Sequence, residues 1–140
     1  MTEADVNKRL VIAFVEAINR REWAALEKLV APDFRRHSYA AGAPGIQDRA
    51  QLVEYLKREF ETFPDARESI QDLVSEGAKV SVRHRFEGTQ EGPLGPHPAS
   101  GKKMISEYIA IYRVEHGRIA EAWAEWDNLS GLAQLGHLRA

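Results

Sequence analysis

The segment Glu121-Ala122-Trp123-Ala124-Glu125-Trp126-Asp127 gathers three carboxylates and two indoles. In an extended chain successive side chains alternate between faces. Glu121, Trp123, Glu125 and Asp127 therefore share one side, and Ala122, Ala124 and Trp126 the other. Carboxylates interleaved with a tryptophan, on the strand expected to be central in the sheet, point to a lined cavity in which a carboxyl group moves protons. A free aspartate, with a pKa of about 3.9, is a weak base. Burial near Trp123 and Trp126, with no cation beside it, would raise that value toward a useful one. Asp127 is the first candidate. It also stands two positions before Leu129, where a terminal helix begins, so Asp127, Asn128 or Ser130 can simply cap that helix.

Two histidines join it. His37 follows Arg35 and Arg36 in a short extended stretch and is either a functional group or a solvated residue at the core edge. His84 shares parity with Val82 and Phe86, which turns it inward, as a satisfied core histidine or as a pocket residue. His116 falls in a turn and His137 in the C-terminal tail.

Spacing argues against several other chemistries, leaving open only a metal site assembled from residues distant in sequence. Between Gly95 and Gly101-Lys102 lie five residues where a phosphate loop has four, and Lys103 replaces the magnesium-binding Ser or Thr. No Gly-x-Gly-x-x-Gly is present. The histidines at 37, 84, 97, 116 and 137 never adopt helical metal-ligand spacing, and no His-Glu-x-x-His occurs. Serine hydrolase signatures are missing. The absence of cysteine removes disulfides, thiolate metal sites and a cysteine nucleophile. No cofactor and no metal are expected.

The elements that must position these groups read clearly. Residues 3–21 form a helix, with Val6, Leu10, Ala13, Phe14, Ala17 and Ile18 at helical spacing. A short second helix carries Trp23, Leu26 and Val30 and stops at Pro32. Asp33 to Tyr39 reads as a strand, and Ala40 to Gly45 as a loop. Asp48 caps a third helix whose stripe is Leu52, Leu56, Phe60 and Phe63, ended by Pro64. From residue 67 the period becomes two. Strands alternate through Ile70 to Ser75, through Val80 to Glu87, from Met104 to Val114 and from Ile119 to Asp127, with turns at Glu76-Gly77 and Glu115 to Arg118. Gly88 to Gly101 is a long hairpin connection, of a length that is often functional. Leu129 to Leu135 is a terminal helix stopped by Gly136. Helices first and hairpins after give an α+β fold.

The chain has 140 residues, 44% hydrophobic and 29% charged, with a net charge of −2. This describes one domain, 1–140, able to bury about two thirds of its extended surface. It lacks the bulk basic field of a non-specific nucleic-acid binder. The longest apolar run, Leu10 to Val15, is far short of a membrane span. The acidic start Met1-Thr2-Glu3-Ala4-Asp5 is unlike a signal peptide, and with the lack of cysteine it places the protein in the cytoplasm as an expectation. Ile105, Ile109 and Ile111 alternate on what should be the outer sheet face, which predicts a homodimer.

Taken in order, several short matches resemble one family. They are Ala31-Pro32-Asp33-Phe34 with His37; Phe63-Pro64-Asp65; Glu76-Gly77; Gly88-Thr89 with Gly92 and Gly95; Gly101-Lys102; Tyr112-Arg113 before Gly117-Arg118-Ile119; Glu121 with Trp123; Asp127; and Gln134-Leu135-Gly136. Over nearly the whole length the chain resembles the SnoaL-like polyketide cyclases, within the nuclear-transport-factor-2-like superfamily that includes ketosteroid isomerases. The resemblance implies a cone-shaped α+β roll, with N-terminal helices packed on a curved, mostly antiparallel sheet enclosing a pocket. It implies a dimer through the sheet. It implies cofactor-free chemistry on a hydrophobic oxygenated molecule, an aldol-type cyclisation or isomerisation, with Asp127 as acid/base and His37 lining the pocket. Trp123, Gln90, His84, Phe63 and Tyr39 complete the expected substrate-binding set. The family often has histidine after Gly-Thr, whereas Gln90 can hydrogen-bond a carbonyl but cannot shuttle a proton. Two alternatives stand beside this reading. One is a non-catalytic small-molecule-binding domain. The other is an epoxide hydrolase, which needs an Asp–Arg–Asp cluster with Arg83 or Arg85 pointing inward.

Overall fold

The computed structural model describes residues 1–41 and 45–138. Part of the loop expected at Ala40 to Gly45, namely Gly42, Ala43 and Pro44, lies outside the described residues. Among the described residues the chain forms four helices and five strands: α1 (Glu3–Asn19), α2 (Trp23–Leu29), β1 (Val30–His37), α3 (Arg49–Thr62), β2 (Arg67–Glu76), β3 (Lys79–Thr89), β4 (Lys103–Glu115), β5 (Arg118–Glu125) and α4 (Asn128–Gln134). The fold is α+β. The sheet is open, in the order β1-β5-β4-β3-β2, with β1 parallel to β5 and all other pairs antiparallel.

Local chemistry sets the element ends. Thr2 and Asp5 exchange side-chain and backbone hydrogen bonds in a capping box at the start of α1. Asp48 caps α3, accepting from Gln51 N at 2.8 Å. Between β4 and β5, His116 and Gly117 both take positive φ, 51° and 74°, as a two-residue hairpin turn of matching twist requires. At Gly92 a Cβ would stand 2.4 Å from the Glu61 carbonyl oxygen, so only glycine lets the long connection close onto the end of α3.

Several boundaries and parities differ from expectation. The second helix ends at Leu29, because Val30 is already extended and opens β1. Pro32 then sits within the irregular stretch of β1, an edge strand that tolerates a missing N–H. The last strand stops at Glu125, and β4 rather than β5 is the middle of the sheet. A register shift between Ile70 and Asp72 turns both Ile70 and Leu73 toward β3's inward His84 and Val82. The most consequential difference is in β5. Ala122 and Ala124 are the buried residues, whereas Glu121, Trp123 and Glu125 face outward. The alternation is as expected, but the core takes the small side, where the helices need room.

The main core joins α1 (Val11, Phe14, Val15, Ile18), α3 (Leu52, Leu56) and the inner sheet face (Val80, Val82, Ala110, Tyr112, Ala122). A smaller cluster of Phe63, Phe86 and Leu135 closes the far end under α4. No helix among the described residues is long and apolar enough to cross a membrane.

Candidate active site

Between the helices and the inner sheet face lies a cavity of about 970 Å³. That is the upper part of the range usual for small-molecule sites. Its walls are mostly apolar, with Phe14, Ile18, Phe34 and Leu56 among them. Set into those walls are seven polar side chains from five elements: Arg36, Tyr55, Glu59, Glu68, His84, Tyr108 and Tyr112.

Each arrives by a local rule. On α3, Tyr55 and Glu59 fall one turn apart, on the same side as Leu52 and Leu56. Arg36 shares the inward parity of Phe34 on β1 and pairs with Ala122 on β5. His84 lies opposite Tyr108 across the β3–β4 ladder. Glu68 sits near the start of the edge strand β2, and Asn19 fixes its backbone. The Asn19 amide donates to Glu68 O at 2.9 Å and accepts from Glu68 N at 2.9 Å, as a neighbouring strand would.

The floor is a connected network. Tyr108 donates its hydroxyl to Glu68 Oε1 at 2.5 Å. His84 Nε2 is 2.9 Å from the Tyr112 hydroxyl, and its Nδ1 is 3.4 Å from Glu68 Oε2. The His84 ring stacks on Tyr108 at 4.5 Å with a 10° tilt. Assigning the Nδ1 proton to the Glu68 side leaves Nε2 to accept from Tyr112.

Burial governs the protonation of the walls. It pushes the Glu59 carboxyl up to about 8, and the charge of Glu68 adds to the rise; Arg36 and a hydrogen bond from Tyr55 pull the other way. Burial pushes Tyr55 up to about 12, with the charge of Glu59 contributing. Tyr108 and Tyr112 are raised further, again chiefly by burial. The phenols keep their protons and act as hydrogen-bond donors. Glu59 is held near neutrality, where a group can both take and return a proton.

The sequence profile of the SnoaL-like polyketide cyclases matches residues 8–135. The chain belongs to that family. Solved structures agree with this SnoaL-like assignment. IdmH from Streptomyces antibioticus is 29% identical, with a TM-score of 0.81 over 93% of this chain and 98% of its own. TsrD from Streptomyces laurentii is 28% identical, with a TM-score of 0.87 over 99% of this chain and 100% of its own. An LEH-like epoxide hydrolase from M. tuberculosis shares the fold at a TM-score of 0.76 and 16% identity, over 96% of this chain and 92% of its own. No curated protein sequence matches the chain.

The SnoaL-like cavity receives only some of the residues singled out in the sequence. His84 and Phe63 line it, Phe63 packing edge-on against Phe86 at 5.3 Å. Asp127 lies at its mouth, exposed, and its Oδ1 accepts from Ser130 N at 3.0 Å as the cap of α4. His37 and Trp123, expected inside, are on the outer sheet face because that is their parity. There the two rings stack at 5.5 Å. His37 Nε2 is 2.6 Å from Glu121 Oε2, and Arg113 Nε donates to Glu121 Oε1 at 3.0 Å. The His37 hydrogen bond, with help from Arg113, holds the Glu121 carboxyl below its ordinary value.

Tyr39 is 97% exposed. Gln90 is 0% exposed but turns into its own loop. Its amide donates to Gly92 O, His97 O and Pro98 O, and its Oε1 meets His137 Nε2 at 2.6 Å. Arg83 points outward to Asp72 at 2.7 Å. Arg85, at the same outward parity, pairs with Glu107 in the ladder. The inward arginine is Arg36.

Proposed function

We propose that this cavity is the active site of a cofactor-free enzyme that moves a proton on a hydrophobic oxygenated molecule, in an aldol-type cyclisation or isomerisation. One observation carries the reading: the Glu59 carboxyl, set in an apolar wall with its pKa near 8, lies where a substrate of this cavity's size must rest. A carbon between carbonyl or aryl groups is already acidic. Ionised Glu59 removes its proton as a stronger base than an ordinary carboxylate. The enolate carbon attacks a second carbonyl held against the apolar walls, and Glu59, now protonated, returns the proton to the new alkoxide. Tyr55 holds Glu59 in place. The Glu68–His84–Tyr108–Tyr112 network fixes the floor. Positioning the folded substrate supplies the remaining acceleration. Family membership supports a cyclase-type role. A homodimer through the outer sheet face belongs to the same proposal, supported by its exposed isoleucines.

The test uses a small ketone and needs no native substrate. β-Tetralone, whose methylene lies between an aryl ring and a carbonyl, is incubated with the protein in D2O and followed by NMR. The protein should accelerate deuterium exchange above the buffer rate, and Glu59→Gln should return it to that rate. No acceleration by the wild type would leave a binding domain. Full acceleration by the Gln variant would move the base elsewhere.

A further inference from the structure

Two arginines line the cavity, and while Arg58 is exposed, Arg36 lies deeper, in surroundings unusual for a structural cation. The Arg36 guanidinium carbon lies 4.2 Å from the Tyr55 ring centre and 5.4 Å from that of Trp126. The Trp126 indole is itself fixed, donating to Asn128 Oδ1 at 2.6 Å, while Asn128 donates to Ala40 O at 2.7 Å. Two aromatic faces and a clamped loop thus set the guanidinium's position in advance.

No carboxylate stands within salt-bridge distance of Arg36 among the described residues, and its buried Nε has no hydrogen-bond acceptor there. The nearby acids do not fill that place. Glu68 gives one oxygen to Tyr108 and turns the other toward His84. Glu59, raised by burial, is largely uncharged at neutral pH. A buried guanidinium donor without an acceptor is costly, and a planar fork is suited to one acceptor above others, a carboxylate.

We propose that Arg36 is the anchor for a carboxylate on the substrate, so that the cavity selects hydrophobic oxygenated molecules bearing a free acid over their esters. This deepens the acid/base reading by naming a substrate class for the same site. It also links binding to chemistry. A carboxylate seated on Arg36 cancels the cation that lowers the proton affinity of Glu59, and so makes Glu59 a stronger base.

The experiment is a binding comparison at pH 7 by calorimetry, with an anthraquinone carboxylate and its methyl ester as probes. The acid should bind wild type about ten-fold or more tightly than the ester, the scale of one charge-assisted hydrogen bond to arginine. Arg36→Met should erase that preference while leaving ester affinity within about two-fold. Equal binding of acid and ester to the wild type, or binding of neither, overturns the proposal. So does a preference retained in Arg36→Met. If that variant fails to fold, the wild-type comparison alone decides. Glu59→Gln should keep the acid preference while losing ketone exchange, so failure of the anchor and failure of the proposed chemistry are separately visible.

Discussion

Glu68 Oε2 and His84 Nδ1 face each other at 3.4 Å across the β2–β3 pair, with neither atom holding any other partner among the described residues. The contact exists because Glu68 shares the inward parity of Ile70, opposite His84, just before the β2 bulge. It joins the edge strand β2 to its neighbour β3.

His84 is 1% exposed, so its removal is expected to be felt in stability first. His84→Ala leaves a void and strips Tyr112 and Glu68 of a partner. The expected loss is about 2–4 kcal/mol in urea denaturation. A loss below about 0.5 kcal/mol would mean that the network contributes little to the fold.

Glu59 ties stability to pH in a defined direction. Its folded value of about 8 lies above the ordinary 4.5, so the folded state holds the proton more tightly than the unfolded chain. That contribution is complete below about pH 4.5 and is lost as pH rises to about 8. Glu59→Gln, uncharged throughout, should therefore gain stability relative to wild type on going from pH 5 to pH 9. A gain of a few kcal/mol is expected, because each pH step of one between the unfolded and folded values contributes about 1.4 kcal/mol. Parallel curves for the two proteins would place Glu59 at an ordinary value.

The same group fixes the shape of the rate profile. Ketone exchange requires ionised Glu59 in the free enzyme. The enzyme's rate, after the buffer rate is subtracted, should climb about ten-fold per pH unit below the Glu59 value of about 8 and then level off. A profile falling above pH 8 would instead assign Glu59 as a proton donor in the limiting step.

The fold is legible in the sequence because it rests on patterns the chain carries locally. The helical stripe of α1, the Asp48 cap and the alternation of β3 and β4 are all readable. The inner site is less so. Tyr55 and Glu59 interrupt an apolar helical stripe at positions that must face the core, and Arg36 shares parity with Phe34; that signal is present in the sequence. The carboxylates and the indole of β5 make a louder pattern, but alternation alone cannot say which face is buried. Two alanines against two carboxylates and a tryptophan leave that choice to the space under the helices. For Glu68, the inward direction depends on pairing with β3 and on the Asn19 clamp, 49 residues away. No local pattern reports such a contact.

The outer sheet face offers a test of assembly. Ile109 is 58% exposed at its centre, and Ile105, Ile111 and Val74 are exposed on the same face. Sedimentation should give twice the 15.8 kDa chain mass, and Ile109→Glu should shift the protein toward the single chain without lowering its helix content. A wild-type monomer at micromolar concentration would remove the dimer from the proposal.

Asp127 separates capping from catalysis. Its Oδ1 accepts from Ser130 N at 3.0 Å, and its side chain stands at the exposed mouth of the cavity. Asparagine caps a helix about as well as aspartate, so Asp127→Asn should melt near the wild-type temperature. Asp127→Ala should cost about 1 kcal/mol, because the first turn of α4 then loses its acceptor. Since α4 supplies Gly131 and Leu132 to the cavity wall, some loosening of ligand binding should follow the alanine change alone. Both variants keep Glu59, so both should retain ketone exchange at neutral pH. Loss of exchange in Asp127→Asn, with folding and probe binding intact, would return the acid/base role to Asp127. Glu59 would then be left as a buried donor that orients the substrate.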